Sequence, residues 1–251
     1  MKLPPISQVT RDHLVLWVIH RFGEEFENHA LLKGGMQLAL LSSQRQTNDI
    51  DYTFVPFNSK KEILPKIDRI LNEIEGAFIE KNLHSTAGRY VFSLGKASIQ
   101  IEFNVKIQEK STTISTQLLA KKLGELPQII RVMDPSVALA HKIAAWNERR
   151  LLRDLYDIYY WYAIIKVSPD VETLKSRLSK FQSRLPHLKS RKKMTTRELA
   201  SQLEAEVENL DESQYLNDLS PLIPISDLQG SFLPFKTQLT QLAQKISILK
   251  I

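Results

Sequence analysis

Two aspartates spaced two residues apart, Asp49 and Asp51, are the first place in this sequence where residue type and spacing together suggest chemistry. They lie in Asp49-Ile50-Asp51-Tyr52-Thr53-Phe54, where polar and apolar residues alternate as in a half-buried strand. Ile50, Tyr52 and Phe54 would share the inner face, and both carboxylates the other. Residues i and i+2 of a strand sit roughly 6–7 Å apart at Cα, so the two side chains can converge on one hard cation. Like charges so placed repel unless something neutralises them or water screens them. Mg²⁺ (or Mn²⁺) would do so, with oxygen ligands at about 2.0–2.1 Å and with waters and phosphates completing its shell. Upstream, Gly34-Gly35 precedes an apolar run over residues 36–41, which reads as a tight turn into a short helix. Such a turn brings backbone close to a ligand, and the helix start offers N–H groups to an anion. Phosphate at the helix start and a cation on the aspartate strand together describe a nucleoside triphosphate site. Singly, a Gly-Gly is usually a turn and an Asp-x-Asp usually solvated surface; in tandem they favour the site.

The elements that must position these residues follow from periodicity. Residues 7–28 carry a broad apolar stripe of helical spacing (Leu14, Val18, Phe22 and Phe26 among them), and 59–75 read as a second amphipathic helix. Residues 78–83 and 89–94 read as strands, and 98–106 is the clearest strand in the chain: Ile99, Ile101, Phe103 and Val105 face one way, Gln100, Glu102 and Asn104 the other. A turn at Gly95-Lys96 would pair 89–94 with it. By spacing alone, Glu102 faces solvent. Residues 111–128 form a polar connector with a short helix near 116–123. Asp134-Pro135 is a helix-start signal, with Asp134 as N-cap and Pro135 at the first helical position. On an unbroken helix Lys142, Arg149 and Arg153 share a stripe, with Asp154 and Asp157 within reach. The plain reading is a solvated helix with Arg150–Asp154 and Arg153–Asp157 pairs. Residues 197–210 and 236–251 read as helices, and 219–235 as a connection punctuated by prolines. No histidine pair has ligand spacing; His13 and His20 stand seven apart where a helical metal pair would need four.

The stretch KGGMQLAL followed by RQTNDIDYTF resembles the first motif of the AbiEii/AbiGii nucleotidyltransferase family, within the DNA polymerase beta-type nucleotidyltransferases. HKIAAWNERRLLRDLYDIYYW resembles the second signature of that family. The resemblance runs from about residue 31 to 163. It implies metal-dependent transfer of a nucleotidyl group from an NTP, with Asp49 and Asp51 as metal ligands. A third carboxylate on a neighbouring strand is implied too, and Glu102 is the candidate, as metal ligand or general base, although Asp is more usual there. Lys142 would hold triphosphate oxygens, and Asp154 would orient a lysine or arginine or help to activate the acceptor. A continuous helix would put Asp154 about 18 Å along its axis from Lys142, so a shared role needs a break near residues 148–152. The nucleotide-binding candidates are Lys33, Gly34, Gly35, Arg45 and Thr47. The resemblance further implies a toxin, a cognate antitoxin as partner, and tRNA as a class of acceptor.

Composition agrees with an enzyme of ordinary globular type. The chain has 251 residues, 43% hydrophobic and 25% charged, which argues against wholesale disorder. Without cysteine there is no disulfide, thiolate zinc site or cysteine nucleophile. No signal-peptide core opens the sequence and no apolar run approaches the ~20 residues of a membrane span, so a cytoplasmic location off the membrane is expected. A net charge of +6 makes polyanions plausible partners. From residue 173 to 197 there are nine basic residues and no acid. Lys189, Arg191, Lys192 and Lys193 are the nucleic-acid candidates, against the plain reading of a solvated basic face.

The expected architecture is α/β (α+β): a small mixed sheet with flanking helices over residues 1–130, then a helical domain over 131–251 that closes over the active site. Two rivals stay open. One is a catalytically silent module of the same fold that only binds nucleotide or nucleic acid. The other is a nucleotidyltransferase that modifies a protein or small molecule. Reading a neighbouring gene for an antitoxin, or incubation with labelled NTPs and tRNA, would separate them.

Overall fold

In the computed structural model, the aspartate strand is the fourth of seven in a mixed sheet. The structure describes residues 1–41, 46–47, 49–85, 87–183 and 185–249. The chain divides into two compact units, Met1–Asp134 and Pro135–Ile251.

The first unit opens with α1 (Arg11–Phe26), whose N-cap Thr10 accepts from the backbone N–H of His13. Then come β1 (Ala30–Lys33), α2 (Gly34–Leu41), β2 (Asp49–Phe54), α3 (Leu64–Leu71), β3 (Phe78–Leu83), β4 (Gly88–Leu94), β5 (Ala97–Val105), β6 (Ser111–Ser115), α4 (Gln117–Leu123) and β7 (Ile129–Met133). The strand order is β3-β4-β5-β2-β1-β7-β6. β2 runs parallel to β5 and β1 to β7; the other neighbours are antiparallel. Alternation sends Ile50, Tyr52 and Phe54 of β2, Ile99, Ile101 and Phe103 of β5, and Tyr90 and Phe92 of β4 into one core. Phe22 and Phe26 of α1 pack there, with ring centroids 5.1 Å from Tyr52 and 4.6 Å from Phe54 respectively. Fully burying such a side chain contributes about 1.5–3 kcal/mol. With the apolar face of β2 and β5 committed to this core, Asp49, Asp51, Gln100, Glu102 and Asn104 are left on the opposite face.

Three strands escape the sequence reading. β1 is four residues long and, apart from Lys33, buried throughout, so it shows no alternation. β6 lies in what reads as connector, β7 falls in residues to which the sequence reading gives no element, and the expected domain boundary at residue 130 falls inside β7, which pairs with β1 and β6 in the first unit.

The second unit is helical: α5 (Pro135–Arg149), α6 (Leu152–Tyr159) with a π-helical turn Tyr160–Ile164, α7 (Val171–Ser179), α8 (Thr196–Asn209), α9 (Glu212–Leu219), α10 (Ile225–Leu228) and α11 (Phe232–Ser247). α8 and α11 pack together through Leu199, Leu203, Leu239, Leu242 and Ile246, all buried. The proline-punctuated connection holds α10 and the start of α11, with Pro234 tolerated in the first turn of α11. Among the described residues no helix is long and apolar enough to cross a membrane.

Candidate active site

The pairing of four strands sets out the site. Lys33 on β1 lies opposite Asp51 on β2, Asp51 lies beside Glu102 on β5, and Glu102 lies opposite Arg89 on β4. Residues paired across a sheet share a face. Lys33, Asp51, Glu102 and Arg89 therefore form one row over four strands, with charges that run plus, minus, minus, plus. Asp49, two residues back along β2, stands beside Gln100 on the same face. The cations at the ends of the row offset the repulsion at its middle.

Each end is anchored. Lys33 Nζ donates to Asn104 Oδ1 at 2.8 Å, and Asn104 Oδ1 also accepts from Thr53 Oγ1 at 2.9 Å. Burial pulls the Lys33 ammonium below its ordinary pKa, while the Asp51 carboxylate acts against that pull. At the other end Glu102 Oε1 accepts from Arg89 Nη2 at 2.6 Å and from Gln100 Nε2 at 2.9 Å. Glu102 thus stands where a third carboxylate is expected, next to Asp51, with its charge held by a guanidinium. Arg89 was missed by the sequence reading.

Gly34 begins α2 directly after Lys33, with φ +72°. A Cβ there would stand 2.4 Å from Asp51 Oδ2. Only glycine lets the start of α2 lie against the Asp51 carboxylate in this backbone conformation. Gly35 is the next residue of the helix. Thr47 Oγ1 donates to the Asp49 carbonyl at 3.4 Å, and the Thr47 carbonyl accepts from Arg11, so Thr47 fixes the entry into β2. Arg45 lies outside the described residues.

The donor set suits a hard divalent cation. Asp49 and Asp51 are half-exposed on one strand face, and Mg²⁺ commonly takes one or two carboxylates and leaves its other positions to water and phosphate. Among the described residues no three His, Cys, Asp or Glu side chains gather as a ready-made cage. Two carboxylates are what such a substrate-sharing site requires.

The second motif lies in the other unit, and its helix breaks where a shared role for Lys142 and Asp154 demands. α5 ends at Arg149, Arg150 adopts φ +54°, and α6 starts at Leu152. The reversal returns Asp154 and Asp157, both buried, to Lys142. Lys142 Nζ lies 3.4 Å from Asp154 Oδ1 and 2.9 Å from Asp157 Oδ2. Asp154 also accepts from Arg149 Nε at 2.5 Å and from Arg149 Nη2 at 2.6 Å, a fork-like pair. Burial alone would lower the Lys142 pKa, but Asp157 and then Asp154 outweigh it and hold the ammonium above its usual range. The i, i+4 pairs of the plain reading are replaced. Asp154 takes Arg149 rather than Arg150, Asp157 takes Lys142, and Arg153 is exposed.

The basic stretch is less uniform than its composition. Arg177 pairs with Glu148 at 2.8 Å, and Arg191 pairs with Glu198, whose carboxylate also caps α8. Lys189, Lys192 and Lys193 are exposed.

Comparison with known proteins places this fold in a class. The chain superimposes on JHP933 from Helicobacter pylori with a TM-score of 0.52, at 14% identity over 98% of this chain and 94% of that one. It also superimposes on MenT4, a nucleotidyltransferase toxin from Mycobacterium tuberculosis H37Rv, with a TM-score of 0.60, at 13% identity over 95% and 83% of the two chains. No match was found among curated proteins. The fold is therefore shared with a nucleotidyltransferase toxin. The family model of the AbiEii nucleotidyl transferase toxin of type IV toxin–antitoxin systems matches residues 21–232, and the chain belongs to that family. It is a nucleotidyltransferase, and membership implies an NTP substrate and an antitoxin partner.

Proposed function

We propose that this protein is a toxin that moves a nucleoside monophosphate from an NTP to an acceptor hydroxyl of RNA in the cytoplasm, with tRNA as the acceptor class. The observation that carries the reading is the placement of Asp49 and Asp51 on the open sheet face, with Gly34 against the Asp51 carboxylate. Asp49 and Asp51 would hold Mg²⁺ (or Mn²⁺), which when bound supplies charge neutralisation at the phosphate oxygens. The acceptor hydroxyl oxygen forms a bond to the α-phosphorus and gives up its proton to water, the bond to the bridging oxygen breaks, and pyrophosphate leaves.

The chain's own groups bind and orient. The first N–H groups of α2, at Gly34 and Gly35, meet phosphate oxygens. Lys33, fixed by Asn104, stands beside Asp51 as a counter-charge. The Arg89 ion pair favours charge balance as the role of Glu102, because its Oε1 already accepts from the guanidinium and from Gln100 Nε2. Lys142 is read as a phosphate ligand whose ammonium is oriented by Asp157 and Asp154. Lys189, Lys192 and Lys193 offer exposed charge to an RNA backbone. Incubation with each α-labelled NTP and total tRNA tests the proposal. Label in the RNA, lost in Asp51→Ala, is expected. Label in a protein band or a small molecule instead would reject the RNA acceptor.

A further inference from the structure

Arg150 is an expensive residue. Its backbone is in the left-handed region at φ +54°, and its guanidinium is half-buried, stacked on the Trp146 ring with its central carbon 4.3 Å from the centroid. Among the described residues its hydrogen-bond partners are neutral amide oxygens: Nη2 donates to Asn147 Oδ1 at 3.0 Å and to Gln202 Oε1. Burial pulls its pKa below the usual arginine value, with Glu206 acting in the opposite sense. Glu206 is thus near enough to be felt, yet no ion pair joins the two.

Both line an open pocket of about 420 Å³. Arg150, Glu206, Gln202, Asn209 and His187 line it, together with apolar Leu188 and Leu210. Its lining therefore supplies a guanidinium donor, a carboxylate acceptor, and amides that can serve as either. A half-buried cation and a half-buried carboxylate held apart suit a ligand with acceptors and donors on neighbouring edges. Phosphate offers only acceptors and would be repelled by Glu206. Guanine matches: O6 and N7 accept from a guanidinium, and N1–H and N2–H donate to a carboxylate. The volume falls within the range of small-molecule pockets.

We propose that this pocket binds a guanine base, that of a free guanine nucleotide or of an unpaired guanosine in RNA. Arg150 reads O6 and N7, Glu206 accepts from N1–H and N2–H, and Gln202 and Asn209 hold the base in plane. Exposed Lys189, Lys192 and Lys193 follow closely on His187 and Leu188 in the chain, which offers positive charge near the pocket for the ribose phosphate of a bound nucleotide. The RNA source rests on the RNA-acceptor reading above; the guanine pocket does not.

Isothermal titration of the full chain with GMP, AMP, CMP and UMP, without divalent metal, tests it. GMP should bind about tenfold or more tighter than AMP, the discrimination of one good bidentate pair. Glu206→Gln and Arg150→Gly should each abolish that preference, and glycine suits the positive φ, so the backbone is kept. The Asp49→Ala/Asp51→Ala double variant should retain it, which locates the preference away from the aspartate strand. Equal binding of the four nucleotides, a preference that survives Glu206→Gln and Arg150→Gly, or one lost with the aspartates overturns the proposal. A single-stranded oligonucleotide with one guanosine, but not its adenosine counterpart, should displace GMP. If neither displaces it while the GMP preference stands, the RNA source falls and the nucleotide pocket remains.

Discussion

Gly34→Ala is the perturbation whose consequences can be worked out furthest. Alanine at φ +72° strains the backbone by about 1–2 kcal/mol. The new methyl would also stand 2.4 Å from Asp51 Oδ2 and 3.2 Å from Asp51 Cβ and Cγ. Rotating the carboxylate relieves the first contact but not the one to Cβ, which β2 fixes. Either α2 or β2 must then give by a few tenths of an ångström, an overpacking penalty of about 1–3 kcal/mol. Gly124→Ala is the control. Gly124 sits at φ +69° in the same unit, and a Cβ there meets nothing within 4 Å. It should carry the backbone strain alone and lower Tm by roughly 2–8 °C.

Gly34→Ala should lower Tm further and, unlike the control, reach the chemistry. A carboxylate displaced by up to ~1 Å can slow turnover by about 100-fold. The assay is transfer of an α-labelled NMP to RNA at a temperature where both variants are folded, with Mn²⁺ binding followed by electron paramagnetic resonance. The expected result is near-normal turnover and Mn²⁺ affinity for Gly124→Ala, and loss of both for Gly34→Ala. Wild-type turnover in Gly34→Ala, or equal loss in the two, would refute the link between this glycine and the Asp51 carboxylate.

Three further outcomes follow from the same geometry. Asp49→Ala and Asp51→Ala should each abolish transfer and Mn²⁺ binding in chains that still melt cooperatively; near-normal turnover in either would end the metal assignment. Charge reversal at Lys189, Lys192 and Lys193 should weaken RNA binding and flatten its salt dependence by roughly 0.7–0.9 in log–log slope per lost phosphate contact, measured by filter binding from low to moderate salt; an unchanged slope would make the segment a solvated face. His20, buried against Thr116 Oγ1 at 2.9 Å, is held by burial below its ordinary value of 6.5, so the folded state resists its protonation. Its contribution is present above that ordinary value and lost as pH falls below it, and denaturant titrations of His20→Gln should lack that acid-side decline.

How far the sequence could be read depends on the range of the interaction that decides each feature. β2 and β5 were legible because one buried face imposes a period of two, and that alternation also put Asp49, Asp51 and Glu102 on one side. β1 was not, because Leu31 and Leu32 are buried on both faces and nothing alternates. β6, Ser-Thr-Thr-Ile-Ser, is polar and half-exposed and owes its strand state to pairing with β7. The Arg89–Glu102 pair was within reach: a two-residue turn at Gly95-Lys96 sets Leu94 opposite Ala97, and counting outward sets Arg89 opposite Glu102. The parallel register that sets Asp51 beside Glu102 had no such local anchor. The basic stretch misled in the opposite way, since composition cannot show that Arg177 and Arg191 are already paired.

The break at Arg150 has no glycine or proline to announce it, and its cause lies in charge. A straight helix would leave Asp154 and Asp157 about three to four turns from Lys142. Burying two carboxylates without their cations would cost several kcal/mol each. A left-handed arginine costs about 1–2 kcal/mol, so the chain bends. The resulting cluster holds two cations, Lys142 and Arg149, and two anions, so its charges cancel. Asp154→Asn leaves it with one net positive charge. Stability should fall by about 3 kcal/mol, the lower end for a broken buried pair, because the Arg149 side chain is 43% exposed and recovers some hydration. The freed charge should strengthen ground-state attraction for the triphosphate, while the loss of the Asp154 carboxylate leaves the Lys142 ammonium, held by Asp157, less well directed. Transfer kinetics in Asp154→Asn should then show kcat falling with KM for NTP unchanged or lower, a loss confined to the transition state. A raised KM with normal kcat would mean that Asp154 acts on substrate binding alone, and the orienting role assigned to it would be wrong.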